Sequence, residues 1–155
     1  MEQYDTPFGE HNKEEYPPMH TAEHLVSGAV AGMLGCGRPF STHIERKKSK
    51  CDFRFGRNLT DEERDEIERT VNRQIASGAI VRTETMDTEQ AARLYDLSRV
   101  REGAGKVRIV HVGTFDSCPC VGAHVADTSE IPPVRIVSSD WADGVLRVRF
   151  KFVKS

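Results

Sequence analysis

No stretch of about 18 consecutive apolar residues occurs in the chain, so no segment reads as a membrane-spanning helix. An excess of one charge sign is missing too: the formal net charge is −2 at pH 7. That balance argues against a wholesale polyanion binder, while leaving room for a local basic stripe. The opening residues Met1-Glu2-Gln3-Tyr4-Asp5 are acidic and polar, unlike an export signal. Cysteine is scarce, limited to Cys36, Cys51, Cys118 and Cys120. Without an export signal these read as thiols or ligands rather than disulfides. The expected compartment is the cytoplasm. There is no internal repeat and no low-complexity tract, and nothing calls for a stable protein partner.

At 155 residues the chain reads as one domain that buries roughly 70% of its unfolded surface without staples. Residues 1–18 form a polar lead-in ending in Pro17-Pro18, and residues 19–155 form the domain. Met19 to Leu34 carries Leu25, Val26, Ala29, Val30, Met33 and Leu34 at helical spacing, with Gly35 and Gly37 as the stop. Residues 41–46 and 50–55 read as two strands around a Lys47-Lys48-Ser49 turn. Thr60-Asp61-Glu62-Glu63 is a capping box that opens a helix with Ile67, Val71 and Ile75 on one face and Gly78 at its end. Residues 80–85 read as a strand. Residues 88–97 read as a shorter helix with Ala91, Ala92 and Leu94 inside, and residues 98–106 as a loop. Val107 to Val112 is a buried strand leading straight into a loop at Cys120, and Val134 to Val137 is another strand. Asp143-Gly144 marks a hairpin turn into the alternating strand Val145 to Val153. Helices and strands mix without strict alternation. The expected fold is α+β, with helices packed on a mostly antiparallel sheet.

Two short motifs stand out. In His20-Thr21-Ala22-Glu23-His24 the histidines are four apart, so on a helix they share a face. About 100 residues on, Cys120-Val121-Gly122-Ala123-His124 offers a thiol and an imidazole at the same spacing from a loop. Three imidazole nitrogens and one thiolate around a point form a tetrahedral set that suits one Zn²⁺ per chain. Cys118 reads as a buried or near-site thiol able to substitute as a ligand. His43 and His111 lack partners at ligand spacing and read as strand residues, His43 near the site. The first motif also satisfies H-x-x-E-H, in which Glu23 would act as a metallohydrolase base. More simply, Glu23 reads as a solvent-facing helix residue.

These stretches resemble the editing domain shared by alanyl- and threonyl-tRNA synthetases and the free-standing AlaX proteins. His20-Thr21-Ala22-Glu23-His24-Leu25-Val26 resembles that family's HTAxHLL. Leu59 to Ile75 resembles its LTxEE…IExxVNxxI helix, and Val110 to Val125 its IgxfDxxxCGGTHV stretch. Thr128 to Val137 resembles its TGEIG segment and the strand after it. The chain departs from the pattern at Ala123, where the family has Thr, and at Pro132-Pro133, where it has Gly. The nearest type is the short AlaX form, acting in trans as a two-layer editing domain.

The resemblance implies hydrolysis of the ester that joins a wrong amino acid to tRNA(Ala), serine foremost and glycine second. It implies zinc on His20, His24, Cys120 and His124, either with an exchangeable position for water and ester or closed and structural. Ser41 and Thr42 fall where the family presents polar residues, as candidate discriminators of the amino acid. Arg46, Lys47, Lys48 and Lys50 form the densest basic cluster, suited to the acceptor end of tRNA. Arg147, Arg149 and Lys151 form a second basic row. The competing readings are a non-catalytic zinc-stabilised module binding an amino acid or an aminoacylated carrier, and a small metal-dependent hydrolase using Glu23.

Overall fold

The computed structural model describes residues 16–98, 100, 103 and 105–153. Among them are three α-helices and seven strands in two antiparallel sheets, an α+β fold as expected. Helix α1 spans Pro17–Leu34 and starts two residues before the expected boundary, because a proline is compatible with the first helical position. Gly35 ends it in the left-handed conformation at φ 68°. Helix α2, Asp61–Ser77, has the full capping box: Thr60 accepts from the Glu63 amide, and the Glu63 carboxylate accepts from the Thr60 amide. Ile67, Val71 and Ile75 are its buried stripe.

One sheet runs in the order β1 (Ser41–His43), β2 (Ser49–Arg54), β7 (Val145–Phe152), β6 (Val134–Ala142). Its inner face supplies Cys51, Phe53, Leu146, Val148 and Phe150, against which α1 and α2 bury Leu25, Val26, Ile67 and Val71. The other sheet is β3 (Val81–Asp87), β4 (Lys106–Val112), β5 (Asp116–Pro119). Helix α3, Thr88–Leu94, covers a smaller cluster of Met86, Ala91, Val107 and Ile109.

Several expectations need correction. Strand β1 stops at His43, and the turn runs from residue 44 to residue 48. Ser49 closes that turn by accepting from the Glu45 amide and donating to the Glu45 carbonyl. Helix α3 ends at Leu94, and of its three expected inward residues only Ala91 is buried, since one short helix can seal only one row. The expected loop before Cys120 contains strand β5, which pairs with β4 after a turn through Gly113 at φ 53°. Strand β6 continues to Ala142, five residues beyond Val137, across an irregularity between Ile136 and Ser138. The Asp143-Gly144 turn is as expected, with both residues at positive φ.

Candidate metal centre

The first turns of α1 aim His20 and His24 at the loop that follows β5. That loop returns Cys120 and His124 to the same point. One ligand atom from each of the four residues lies within 4.8 Å of all the others. Cys120 Sγ stands 3.2 Å from His20 Nε2 and 3.6 Å from His124 Nε2. Zinc bonds of about 2.3 Å to sulfur and 2.0–2.1 Å to nitrogen give tetrahedral edges of about 3.4–3.6 Å, so these spacings fit the ion.

The far side of each ring supports this fit. For Nε2 to offer its lone pair, the proton must sit on Nδ1 and needs an acceptor there. His20 Nδ1 is 3.2 Å from the Ala123 carbonyl, and His124 Nδ1 is 2.9 Å from Thr21 Oγ1. Thr21 is buried and its oxygen also accepts from the Val125 amide, tying the two motifs together. His24 Nδ1 lies 3.5 Å from Asp116 Oδ2 and 3.4 Å from Cys118 Sγ. Arg38 Nη1 donates to the other Asp116 oxygen at 2.6 Å. Among the described residues Asp116 Oδ2 is buried without a hydrogen-bond partner, so His24 is the group nearest to serve it.

The electrostatics place Cys120 and His124 in their ligand forms. Burial alone would raise the Cys120 thiol, but the surrounding His24, His124 and His20 rings bring it well below its ordinary value. Burial holds the His124 imidazole down to about 4, so at neutral pH it is uncharged. Burial also works against charge on His24, yet the Cys118 and Cys120 sulfurs outweigh it and raise that imidazole well above its usual value. Despite burial, His24 and Arg38 keep Asp116 below the ordinary carboxylate range. A Cys120 thiolate beside a neutral His124 suits a metal, and His24 would give up its proton on binding one.

The structure therefore brings together the four residues singled out as ligands and draws in Cys118 as a buried neighbour. Cys118 also belongs with His24 and Asp116 to a second donor group of the same compactness. Three residues were missed as contributors: Thr21, Asp116 and Arg38. Asp116 stood in the matched DxxxC stretch and could have been suspected there. Arg38 carried no local signal. Glu23 is not solvent-facing: it is 7% exposed, accepts from the Ser27 hydroxyl, and has Oε1 4.0 Å from His24 Nε2. Thr21 to Ser27 are all buried, so helix α1 is enclosed on every side over that stretch. His43 is exposed and pairs with Glu45 instead of joining the cluster. His111 is a buried strand residue between Ser117 and Glu84.

Ser41 and Thr42 sit on edge strand β1, opposite Asp52 and Cys51. Thr42 thus borders Cys51, whose sulfur is 3.7 Å from Ser27 Oγ. Arg46, Lys47 and Lys48 are exposed on the β1–β2 turn, and Lys50 is half-buried at the start of β2. The Arg46 guanidinium lies over the Tyr16 ring at 4.2 Å, one turn before His20. Beside the metal loop lies a groove of about 530 Å³ lined by Thr85, Lys106, Arg108, Val121, Gly122 and Ala123. Arg108 holds its wall by donating to the carbonyls of Cys120 and Gly122 at 3.3 and 2.9 Å.

Residues 107–149 match the threonyl and alanyl tRNA synthetase second additional domain. Over those residues this chain is similar to that domain. The match takes in β4, β5, Cys120 and His124. The chain is similar to the alanine–tRNA ligase of Coxiella burnetii, 35% identical over 132 residues, which is 83% of this chain and 15% of the ligase. It is 31% identical over 136 residues to that of Methanopyrus kandleri, covering 84% of the chain and 15% of the ligase. The ligase of Staphylococcus aureus is 31% identical over 142 residues, 90% of the chain and 16% of the ligase. The chain thus spans about one-sixth of the length of these relatives. No helix among the described residues is long and apolar enough to cross a membrane.

Proposed function

We propose that this chain hydrolyses the ester bond of mischarged tRNA(Ala), with serine as the foremost amino acid removed and glycine as the second. One observation carries the reading: in a chain that matches a second additional domain, His20, His24, Cys120 and His124 converge within 4.8 Å of one another, and Cys120 stands at zinc-tetrahedron edge lengths from His20 and His124. These four would hold one Zn²⁺, with the Ala123 carbonyl, Asp116 and Thr21 orienting the three rings. Bound there, zinc would supply Lewis acidity to the ester carbonyl or lower the pKa of a water.

The protein's own part is to bind and sort the substrate. An apolar pocket sized for alanine cannot strongly reject an isostere that adds a hydroxyl, so a second site that destroys the wrong product meets a real chemical need. An aminoacyl ester is already activated, and no side-chain base is assigned. The groove along Val121–Ala123 has the size of a small-molecule site and borders the ligand loop. Ser41 and Thr42 are the proposed discriminators of the esterified amino acid. Arg46, Lys47, Lys48 and Lys50 are proposed to meet phosphates of the acceptor end. The cytoplasm, where charged tRNA is used, is the proposed compartment.

The deciding measurement compares deacylation of Ser-tRNA(Ala) and Ala-tRNA(Ala) by the zinc-loaded protein and by Cys120→Ala. Rapid loss of serine, sparing of alanine and dependence on Cys120 support the reading. A zinc-loaded protein that leaves both esters intact rejects this substrate pair and favours a zinc-stabilised binding module.

A further inference from the structure

The outer face of the four-stranded sheet is basic in a chain whose total charge is negative. Side chains alternate along each strand. With Leu146, Val148 and Phe150 turned inward, Arg147, Arg149 and Lys151 face out. By the same alternation Lys50 and Arg54 of β2 and Arg135 of β6 share that face. Among the described residues two carboxylates answer them there, and Lys50 and Arg149 also act on Asp52. Asp52 takes both donors of Arg147 at 2.7 and 2.9 Å, and Asp140 takes Arg149 at 2.8 Å.

The strand register makes the remaining charges costly. Lys50 stands directly opposite Arg149, and Arg135 directly opposite Lys151. Like charges in directly opposed positions destabilise a sheet. Lys50, Arg135 and Lys151 have no ion-pair partner among the described residues. A sheet face under selection for stability alone would alternate signs at these two pairs.

The location gives the repulsion a use. Both like-charged pairs lie toward the end of the sheet where the β1–β2 turn carries Arg46, Lys47 and Lys48. At that end Arg46 covers the Tyr16 ring, Tyr16 meets the Phe152 ring edge-on at 6.4 Å, and the Tyr16 carbonyl accepts from the His20 amide. Basic side chains therefore extend from the turn beside Tyr16 onto the outer sheet face, interrupted by Glu45, Asp52 and Asp140.

We propose that this outer face, centred on the Lys50–Arg149 and Arg135–Lys151 pairs, is a docking surface for the phosphate backbone of the tRNA whose charged end enters the metal centre. The inference rests on the proposed function for the identity of the RNA. The recognition chemistry is counterion release from spaced phosphates, without base readout.

The test is Lys151→Glu in the full chain, with tRNA(Ala) binding followed by fluorescence anisotropy across a salt series. The substitution turns a repulsive cross-strand pair into an attractive one, so the melting temperature should rise. At the same time tRNA binding should weaken about tenfold near 0.1 M salt, and the slope of log K against log salt should shrink by about 1. Arg135→Glu should behave alike. A higher melting temperature with unchanged affinity and slope overturns the surface, and if the parent still deacylates tRNA the proposed reaction stands. Parent binding that follows this pattern without deacylation supports the surface and rejects the reaction. A parent chain that does not bind tRNA overturns both.

Discussion

Thr21 Oγ1 lies 2.9 Å from His124 Nδ1, so a residue inside the first histidine motif orients the last histidine of the second. The same oxygen accepts the Val125 amide, fixing the loop beside that ring. Thr21→Val keeps the shape and removes the acceptor. It is expected to weaken zinc binding 10–100-fold, the usual effect of losing such a partner, measured by competition with a chromophoric chelator. Thr21→Ser should retain most of the affinity. A valine variant with parental affinity would show that Thr21 only packs.

Asp116 is expected to act on the metal through His24. Asp116→Asn leaves the shape but removes the negative charge that faces Arg38 and His24. Zinc affinity should fall by roughly 10–100-fold. Gly28 offers a second route to the same group. A Cβ there would sit 2.9 Å from Asp116 Oδ1 and 3.1 Å from the Phe115 ring, and Arg38 pins that oxygen from the far side. In an open helix Gly→Ala would gain about 1 kcal/mol. Here Gly28→Ala should instead lower both the melting temperature and the zinc affinity. A stabilised variant with full affinity would show that Asp116 moves aside freely.

The two thiols of Cys118-Pro119-Cys120 should separate cleanly. Cys120→Ala removes a proposed ligand and should abolish stoichiometric zinc. Cys118→Ala should keep one zinc per chain, because Cys118 Sγ meets His24 on its Nδ1 side and lies outside the His20, His24, Cys120 and His124 group. Metal analysis after gel filtration reads both. Loss of zinc from the Cys118 variant alone would exchange their roles.

Glu23 distinguishes a buried structural carboxylate from a hydrolytic base. Glu23→Ala strands the buried Ser27 hydroxyl and should cost about 1–3 kcal/mol in denaturant unfolding. Glu23→Gln keeps an acceptor for Ser27, and deacylation should stay within about threefold of the parent, well short of the 10²–10⁴-fold that a general base contributes. A thousandfold loss with zinc retained would instead assign the chemistry to Glu23.

Acid should loosen the start of α2. The Arg57 guanidinium, together with the Thr60 amide, holds Glu63 down to about 2, below its ordinary value of 4.5. A depressed folded-state pKa means that the stabilisation is complete above 4.5 and disappears as pH falls toward 2. Melting temperatures from pH 6 to pH 2 should drop more steeply for the parent than for Glu63→Gln across that window. Thr60→Ala should cost about 1 kcal/mol at any pH in the range. Parallel curves for the parent and the glutamine variant would refute the assignment.

Some of this protein was readable from its residues alone, because the controlling forces act within a few residues. The capping box at Thr60 and Glu63, the Asp143-Gly144 turn and the four-residue spacing of His20 with His24 and of Cys120 with His124 are local matters of backbone period and hydrogen bonding. What the chain could not declare locally is that the two ligand pairs meet. That depends on α1 packing beside β5, elements nearly a hundred residues apart. The same packing buries Glu23, sets Asp116 against His24 and brings Arg38 behind it. Strand β5 was missed because four residues ending in proline carry almost no periodicity, and their pairing with β4 makes them a strand. The like-charged pairs on the outer sheet likewise exist only through register, since neither Lys50 nor Arg149 records which residue stands opposite it. Residue types and spacing determined which atoms are fit to hold a metal; long-range packing alone decided that they share one point, because that convergence is enforced by burial of apolar surface and not by the ligands themselves.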